Sequence, residues 1–107
     1  MRRHAQVIRV RPEMFEKYER LHGAVWPEVL RTIRECNIRN YSIFYRDGRL
    51  FSYFEYVGSD YAADMAKMAA DPKTREWWKL TDPCQRPVET AAKDEWWAPM
   101  RELFHTD

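Results

Sequence analysis

IRNYSIFYRDGRLFSYFEYV, residues Ile38 to Val57, reads as two β-strands joined by a tight turn. The runs from Ile38 to Tyr45 and from Leu50 to Val57 are rich in β-branched and aromatic residues, and Asp47-Gly48 between them is a strong hairpin signal. In this reading Tyr41, Ile43 and Tyr45 share one face of their strand. Upstream, Arg2 to Val10 alternates as a first strand that stops at Arg11-Pro12. Pro12 suits a first helical turn, and Met14, Phe15, Tyr18, Leu21 and His22 then follow the three-four spacing of one helix face, ending near Gly23. Trp26 precedes Pro27, which disfavours the helical region at Trp26, while Pro27 itself can open a second helix through Val29, Leu30 and Ile33 to about Cys36.

Downstream of the hairpin, Ser59 can cap a helix that starts at Asp60 and turns Tyr61, Met65, Met68 and Ala69 inward before Asp71-Pro72 stops it. A short helical turn from Lys73 to Lys79 presents Trp77 and Trp78. Thr81 to Asp94 contains Pro83 and Pro87 with little periodicity and reads as loop. A last strand is expected from about Trp96 to His105, at an edge or with a bulge because of Pro99. The order is β-α-β-β-α-β with one extra short helix. That is the ferredoxin-like α+β arrangement, an antiparallel sheet with helices on one face. Something must cover the other face, and a second copy packed sheet to sheet in a two-fold homodimer is the simple solution.

At 107 residues the chain is expected to form one domain, residues 1–107, able to bury a core without disulfides or metal. Charged residues make up 33% of it but nearly cancel, to a formal +1, which leaves no field for capturing nucleic acid or an anionic membrane. No apolar run approaches a membrane span, and Met1-Arg2-Arg3 leads into a mixed strand-like segment, so a cytoplasmic location is expected. Cys36 and Cys84 lack paired spacing and read as reduced thiols. Aromatic residues, at 15% with five Trp, exceed what a small core needs. Some of those rings are expected in a pocket or an interface.

The chemistry concentrates at Tyr18, His22 and Trp26, spaced by four, and at Glu76-Trp77-Trp78. Four-residue spacing puts Tyr18 and His22 on one helix face. Aromatic rings stack on the apolar face of a pyranose, and histidine is the side chain that exchanges protons with hydroxyls near neutral pH. Taken alone, a histidine on a helix face is more often structural, and Tyr18 and Trp26 at helical spacing more often core. Trp77 and Trp78 diverge by about 100° on a helix, so at least one belongs in a pocket or an interface. Glu95-Trp96-Trp97 repeats the triplet in a strand-like context, where neighbouring rings point to opposite faces and a structural role is expected. His4 and His105 fall on outer strands in this reading and share no ligand-like spacing with His22. Arg39, Arg46 and Arg49 near the hairpin read as solvent-facing partners of Asp47 and Glu55.

Tyr18, His22, Trp26-Pro27, Asn40-Tyr41, Trp77-Trp78 and the terminal aromatic segment together resemble the L-rhamnose mutarotase family. The likeness covers essentially the whole chain. It implies a dimeric ferredoxin-like α/β barrel that interconverts the α and β anomers of a 6-deoxy-L-hexose without cofactor or metal. By position, it implies His22 as proton donor and Tyr18, Tyr41, Trp77 and Trp78 as sugar-binding residues, with Trp26 and Asp82 as further candidates. The segment from Leu80 to Gln85 and the loop to Glu95 resemble members associated with L-fucose, so the sugar stays open between L-rhamnose and L-fucose. Mutarotation needs two proton transfers, one at the anomeric hydroxyl and one at the ring oxygen, and His22 is the expected acid–base group. Two other readings remain. One is a non-catalytic sugar- or metabolite-binding module with the same pocket, and the other a cofactor-independent monooxygenase or haem-handling protein on the same fold.

Overall fold

A computed structural model describes residues 1–107. Strand β1, Arg2–Val10, lies inside the sheet and pairs antiparallel with β3, Arg49–Tyr56, from Arg2↔Tyr56 to Arg9↔Arg49. Strand β2, Ile38–Arg46, pairs with the other edge of β3. The hairpin turn between them has Asp47 at φ 49° and Gly48 at φ 79°. Two consecutive left-handed residues match the twist of the flanking strands, which is why Asp-Gly is read as a hairpin.

The far edge of β1 is shared by two short strands. Strand β4, Gln85–Arg86, pairs with Arg9 and Val10, and β5, Ala98–Met100, pairs with Ala5 to Val7. Together they occupy the fourth place in the order β2-β3-β1-β4 of a ferredoxin-like α+β sheet. The long terminal strand expected from Trp96 to His105 is therefore reduced to three residues. Pro99 has no N–H to give to the ladder, Trp96 and Trp97 lie in a bend, and residues 101–107 have no regular structure. The expected loop from Thr81 is likewise partly ordered. A 3₁₀ turn, Asp82–Cys84, carries Pro83 in its first turn, where a missing N–H costs no bond, and leads directly into β4.

The helices follow the sequence closely. After a 3₁₀ turn at Pro12–Met14, α1 runs Phe15–His22 and stops at Gly23. Trp26 is extended (φ −61°, ψ 136°) ahead of Pro27, and α2 runs Pro27–Glu35. Helix α3, Tyr61–Ala70, is capped by Asp60, which accepts from the Ala63 N–H at 3.1 Å. Ser59 was the expected cap; the carboxylate one residue later does the same work. Asp71 then ends α3 and caps α4, Pro72–Thr81, accepting from the Thr74 N–H and hydroxyl at 2.9 Å each. The expected turn around Trp77 and Trp78 is thus a ten-residue helix.

Two apolar clusters join the helices to one face of the sheet. Ile8, Val10, Tyr18, Leu50 and Cys84 form one, and Ile38, Phe54 and Tyr56, backed by Ile33, Tyr61 and Met65, form the other. Cys36 and Cys84 are buried free thiols. No helix is long and apolar enough to cross a membrane.

Candidate functional site

A cavity of about 760 Å³ opens among the residues of the two clusters, with the sheet as its floor and the helices as its walls. A volume of that order with mainly apolar walls and a few convergent polar groups is the usual form of a small-molecule site. Tyr18, His22, Tyr41, Trp77, Trp78 and Asp82 all line it. Trp26 does not; it packs edge-on behind Trp77 at 5.2 Å between ring centroids and faces a shallower cleft beside α1.

His22 closes the last turn of α1. Its Nδ1 lies 2.9 Å from the Tyr18 carbonyl oxygen, one turn earlier. A carbonyl only accepts, so the neutral ring carries its proton on Nδ1 and leaves the Nε2 lone pair free. The imidazole stacks on the Tyr18 ring at 4.2 Å and meets the edge of Trp77 at 5.6 Å. The i, i+4 spacing legible in sequence produces both the stack and the hydrogen bond.

Tyr18 is almost fully buried, and burial holds its phenol well above the ordinary range, so it remains protonated. Its oxygen accepts from Gln85 Nε2 at 3.2 Å, while Gln85 Oε1 accepts from the Trp96 indole N–H at 3.0 Å. One buried amide thus joins β4, α1 and the segment before β5. Gln85 is a residue that sequence reasoning missed, and Trp96, expected to be structural, reaches the cavity. Gln85 sits in a stretch without periodicity and gives no signal, whereas the repeated Glu-Trp-Trp triplet did mark Trp96. Trp96 and Trp97 both line the cavity, not opposite faces, because the chain bends there instead of extending.

Tyr41 reaches the cavity through a β-bulge. Arg39 pairs with Glu55 and Ser42 with Tyr53, so three steps along β2 match two along β3. Asn40 takes the left-handed conformation this requires (φ 51°) and its amide donates to Glu55 at 2.8 Å. Without the extra residue, strict alternation from Ile38 would turn Tyr41 and Ile43 to the opposite face. With it, both line the cavity. Burial of the Tyr41 hydroxyl pushes it up to about 12, so it too is a donor at neutral pH. Asp82, at the start of the 3₁₀ turn after α4, has its carboxyl raised above the ordinary range by burial. His4, stacked between Phe54 and Tyr61, and His105, beside Asp107, contact other groups.

Such a pocket on such a sheet defines a class: small ferredoxin-like α+β proteins with an aromatic-walled cavity between sheet and helices. The family profile for L-rhamnose mutarotase matches residues 3–106. An L-rhamnose mutarotase from Oceanobacillus iheyensis is 29% identical over 115 residues, covering 100% of both chains. Among solved structures, the L-rhamnose mutarotase of Formosa agariphila superposes with a TM-score of 0.78 at 19% identity over 100% of both chains. Tetracenomycin F2 cyclase from Streptomyces glaucescens, a type-II polyketide cyclase, gives 0.71 at 14% over 100% of this chain and 98% of its own, a likeness of fold alone. The chain belongs to the L-rhamnose mutarotase family, isomerases that act on carbohydrates.

Proposed function

We propose that residues 1–107 act as one aldose mutarotase unit that interconverts the α and β anomers of a 6-deoxy-L-hexose, L-rhamnose or L-fucose, with His22 as the acid–base group. The observation that carries this reading is the held imidazole. Nδ1 is fixed on the Tyr18 carbonyl, and Nε2 is left free in a ring that forms part of the cavity wall. Ring opening removes the proton from the anomeric hydroxyl and adds one to the ring oxygen as the C1–O5 bond breaks. The open-chain carbonyl then rotates, and closure on its other face reverses both transfers. His22 Nε2 takes or returns one of these protons. No redox change and no leaving group are involved.

Trp77 and Trp78 supply flat apolar walls for the sugar ring, and the Tyr18 and Tyr41 hydroxyls, both held protonated, donate to sugar oxygens. Asp82 accepts from a sugar hydroxyl at the cavity edge. A second copy is the proposed partner, through the open face of the sheet. Saturation-transfer NMR of the anomeric protons of L-rhamnose and L-fucose tests the reading. Acceleration by the wild type that falls by about 100- to 10,000-fold in His22→Asn is expected, since the amide can still hold the Tyr18 carbonyl but cannot titrate. Full activity in that variant would remove His22 from the chemistry. Sugar binding without any acceleration would mark a binding module.

A further inference from the structure

The cavity-facing side of a buried sheet is expected to be apolar, and over most of its area this one is. Ile8 pairs with Leu50 on one side and Phe54 lies on the other, all toward the helices. The row between them breaks the rule. Ile43, Ser52 and Gln6 are cross-strand neighbours on β2, β3 and β1, so their side chains share the face that the cavity-lining Ile43 and Gln6 define. Ser52 is only 3% exposed and its hydroxyl has no hydrogen-bond partner. The Gln6 amide beside it is half-buried and turned to the cavity, in contrast to Gln85, whose two ends are taken by Tyr18 and Trp96. Two residues along β1, His4 Nε2 is a second buried group without a partner, its ring between the cavity residues Phe54 and Tyr61.

Buried polar groups are nearly always paired, because an unpaired one carries its desolvation cost uncompensated. Val at position 52 would fill the same place on a strand without that cost. Gln6, half-buried at the cavity, is the member a ligand can reach, and the buried Ser52 hydroxyl beside it can pair with the Gln6 amide once a ligand fixes that amide. From this we infer that Gln6 and Ser52 form a hydroxyl-reading pair on the sheet floor. The Gln6 amide hydrogen-bonds a ring hydroxyl of the sugar away from the anomeric carbon, and Ser52 is the positioning residue that fixes the amide. The inference rests on the mutarotase reading above and names what sets its sugar preference. His22 on its helix wall and Gln6 on the floor divide the work, one moving protons and the other choosing the ring pattern. A site that hydrogen-bonds a hydroxyl discriminates far more strongly than an apolar pocket, because the wrong isomer leaves its polar groups unpaired.

The test measures anomer exchange and tryptophan-fluorescence binding for wild type, Gln6→Leu and Ser52→Ala, each with L-rhamnose, L-fucose, L-mannose and L-galactose. The last two sugars keep the ring patterns of the first two and add a 6-hydroxyl, which separates ring reading from methyl recognition. The wild type is expected to prefer one ring pattern. Gln6→Leu should raise KM for that pattern by about tenfold, with kcat within about twofold, and flatten the preference. Ser52→Ala should shift the preference the same way without lowering the thermal midpoint, because it deletes an unpaired buried hydroxyl. It is a deletion at a well-packed position and carries the test alone if Gln6→Leu does not fold. An unchanged preference in both variants, or a fall in kcat at constant KM, would overturn the inference while leaving the mutarotase reading intact. A wild type that binds none of the four sugars would overturn both.

Discussion

At the scale of single residues, the site depends on side chains fixed by few contacts over long sequence distances. Gln85 is the clearest case, since its amide alone satisfies both the Tyr18 hydroxyl and the Trp96 indole. Gln85→Leu would leave those two groups unpaired, and a loss of about 2 kcal/mol or more in urea unfolding is expected. Loss of sugar binding should accompany it, because Trp96 and Tyr18 both line the cavity. No pattern in the sequence could reveal this role. A glutamine among prolines reads as loop, and its partners are fixed only once α1 and β4 meet. His22 and Tyr18 were legible for the opposite reason, since their contact is a property of one helix turn.

Among the elements, the hairpin shows where sequence reading succeeds and where it runs out. Strand type, turn position and the shared face of Tyr41, Ile43 and Tyr45 all follow from alternation and Asp-Gly. The bulge at Asn40 does not, although it is what returns Tyr41 and Ile43 to the face of Ile38. Left-handed backbone at position 40 costs a residue with a β-carbon about 1–2 kcal/mol, least for Asn and most for a branched side chain. Stability should therefore rank wild type or Asn40→Gly above Asn40→Ala, and Asn40→Val lowest. Only the last is expected to raise KM strongly by turning Tyr41 away, which steady-state exchange kinetics would reveal. The terminal strand was misread for a similar reason: aromatic content suggested a strand, but Pro99 and the bend at Trp96 limit pairing to three residues.

Another element-scale device ties α3 to the sheet. Asp64 accepts from the Tyr56 hydroxyl and from Asn37 Nδ2, and these bonds, Tyr56 first, hold its carboxyl below the ordinary range. Gly58 passes so close that a β-carbon there would lie 2.8 Å from Asn37 Nδ2 and overlap the Tyr56 ring. A carboxyl depressed by folding stabilises the fold above its unfolded value near pH 4, and that contribution is lost as pH falls through the lower folded value. Asp64→Asn should lower the thermal midpoint at neutral pH and flatten the acid limb of the stability curve below about pH 4. A variant with the same acid limb as wild type would show that the network has no part in it.

For the whole molecule, the sheet has two faces and the helices cover only one. The register places Phe44, Phe51, Val7 and Ala98 in one row across four strands, on the side away from the helices, with Phe44 57% exposed. The neighbouring row is Arg46, Arg49, Arg9 and Arg86, two of which are held by Glu89 at 2.8 and 2.9 Å. An apolar patch rimmed by charge is the form of an interaction surface, and a self-complementary patch on a sheet suits a two-fold axis. The segment after β5 adds exposed Leu103 and Phe104. If a second copy covers this face, Phe44→Glu buries an unpaired charge within the contact, and light scattering after gel filtration should change from twice the chain mass to the chain mass. Leu103→Ser should weaken association without abolishing it. Wild type that remains at the chain mass at micromolar concentration would rule the dimer out. The strands couple the two faces: β1, β2 and β3 carry the cavity floor on one side and this row on the other, so a charge in the row would loosen the floor under Tyr41 and Gln6. Phe44→Glu should therefore also raise KM, although no atom of Phe44 lines the cavity.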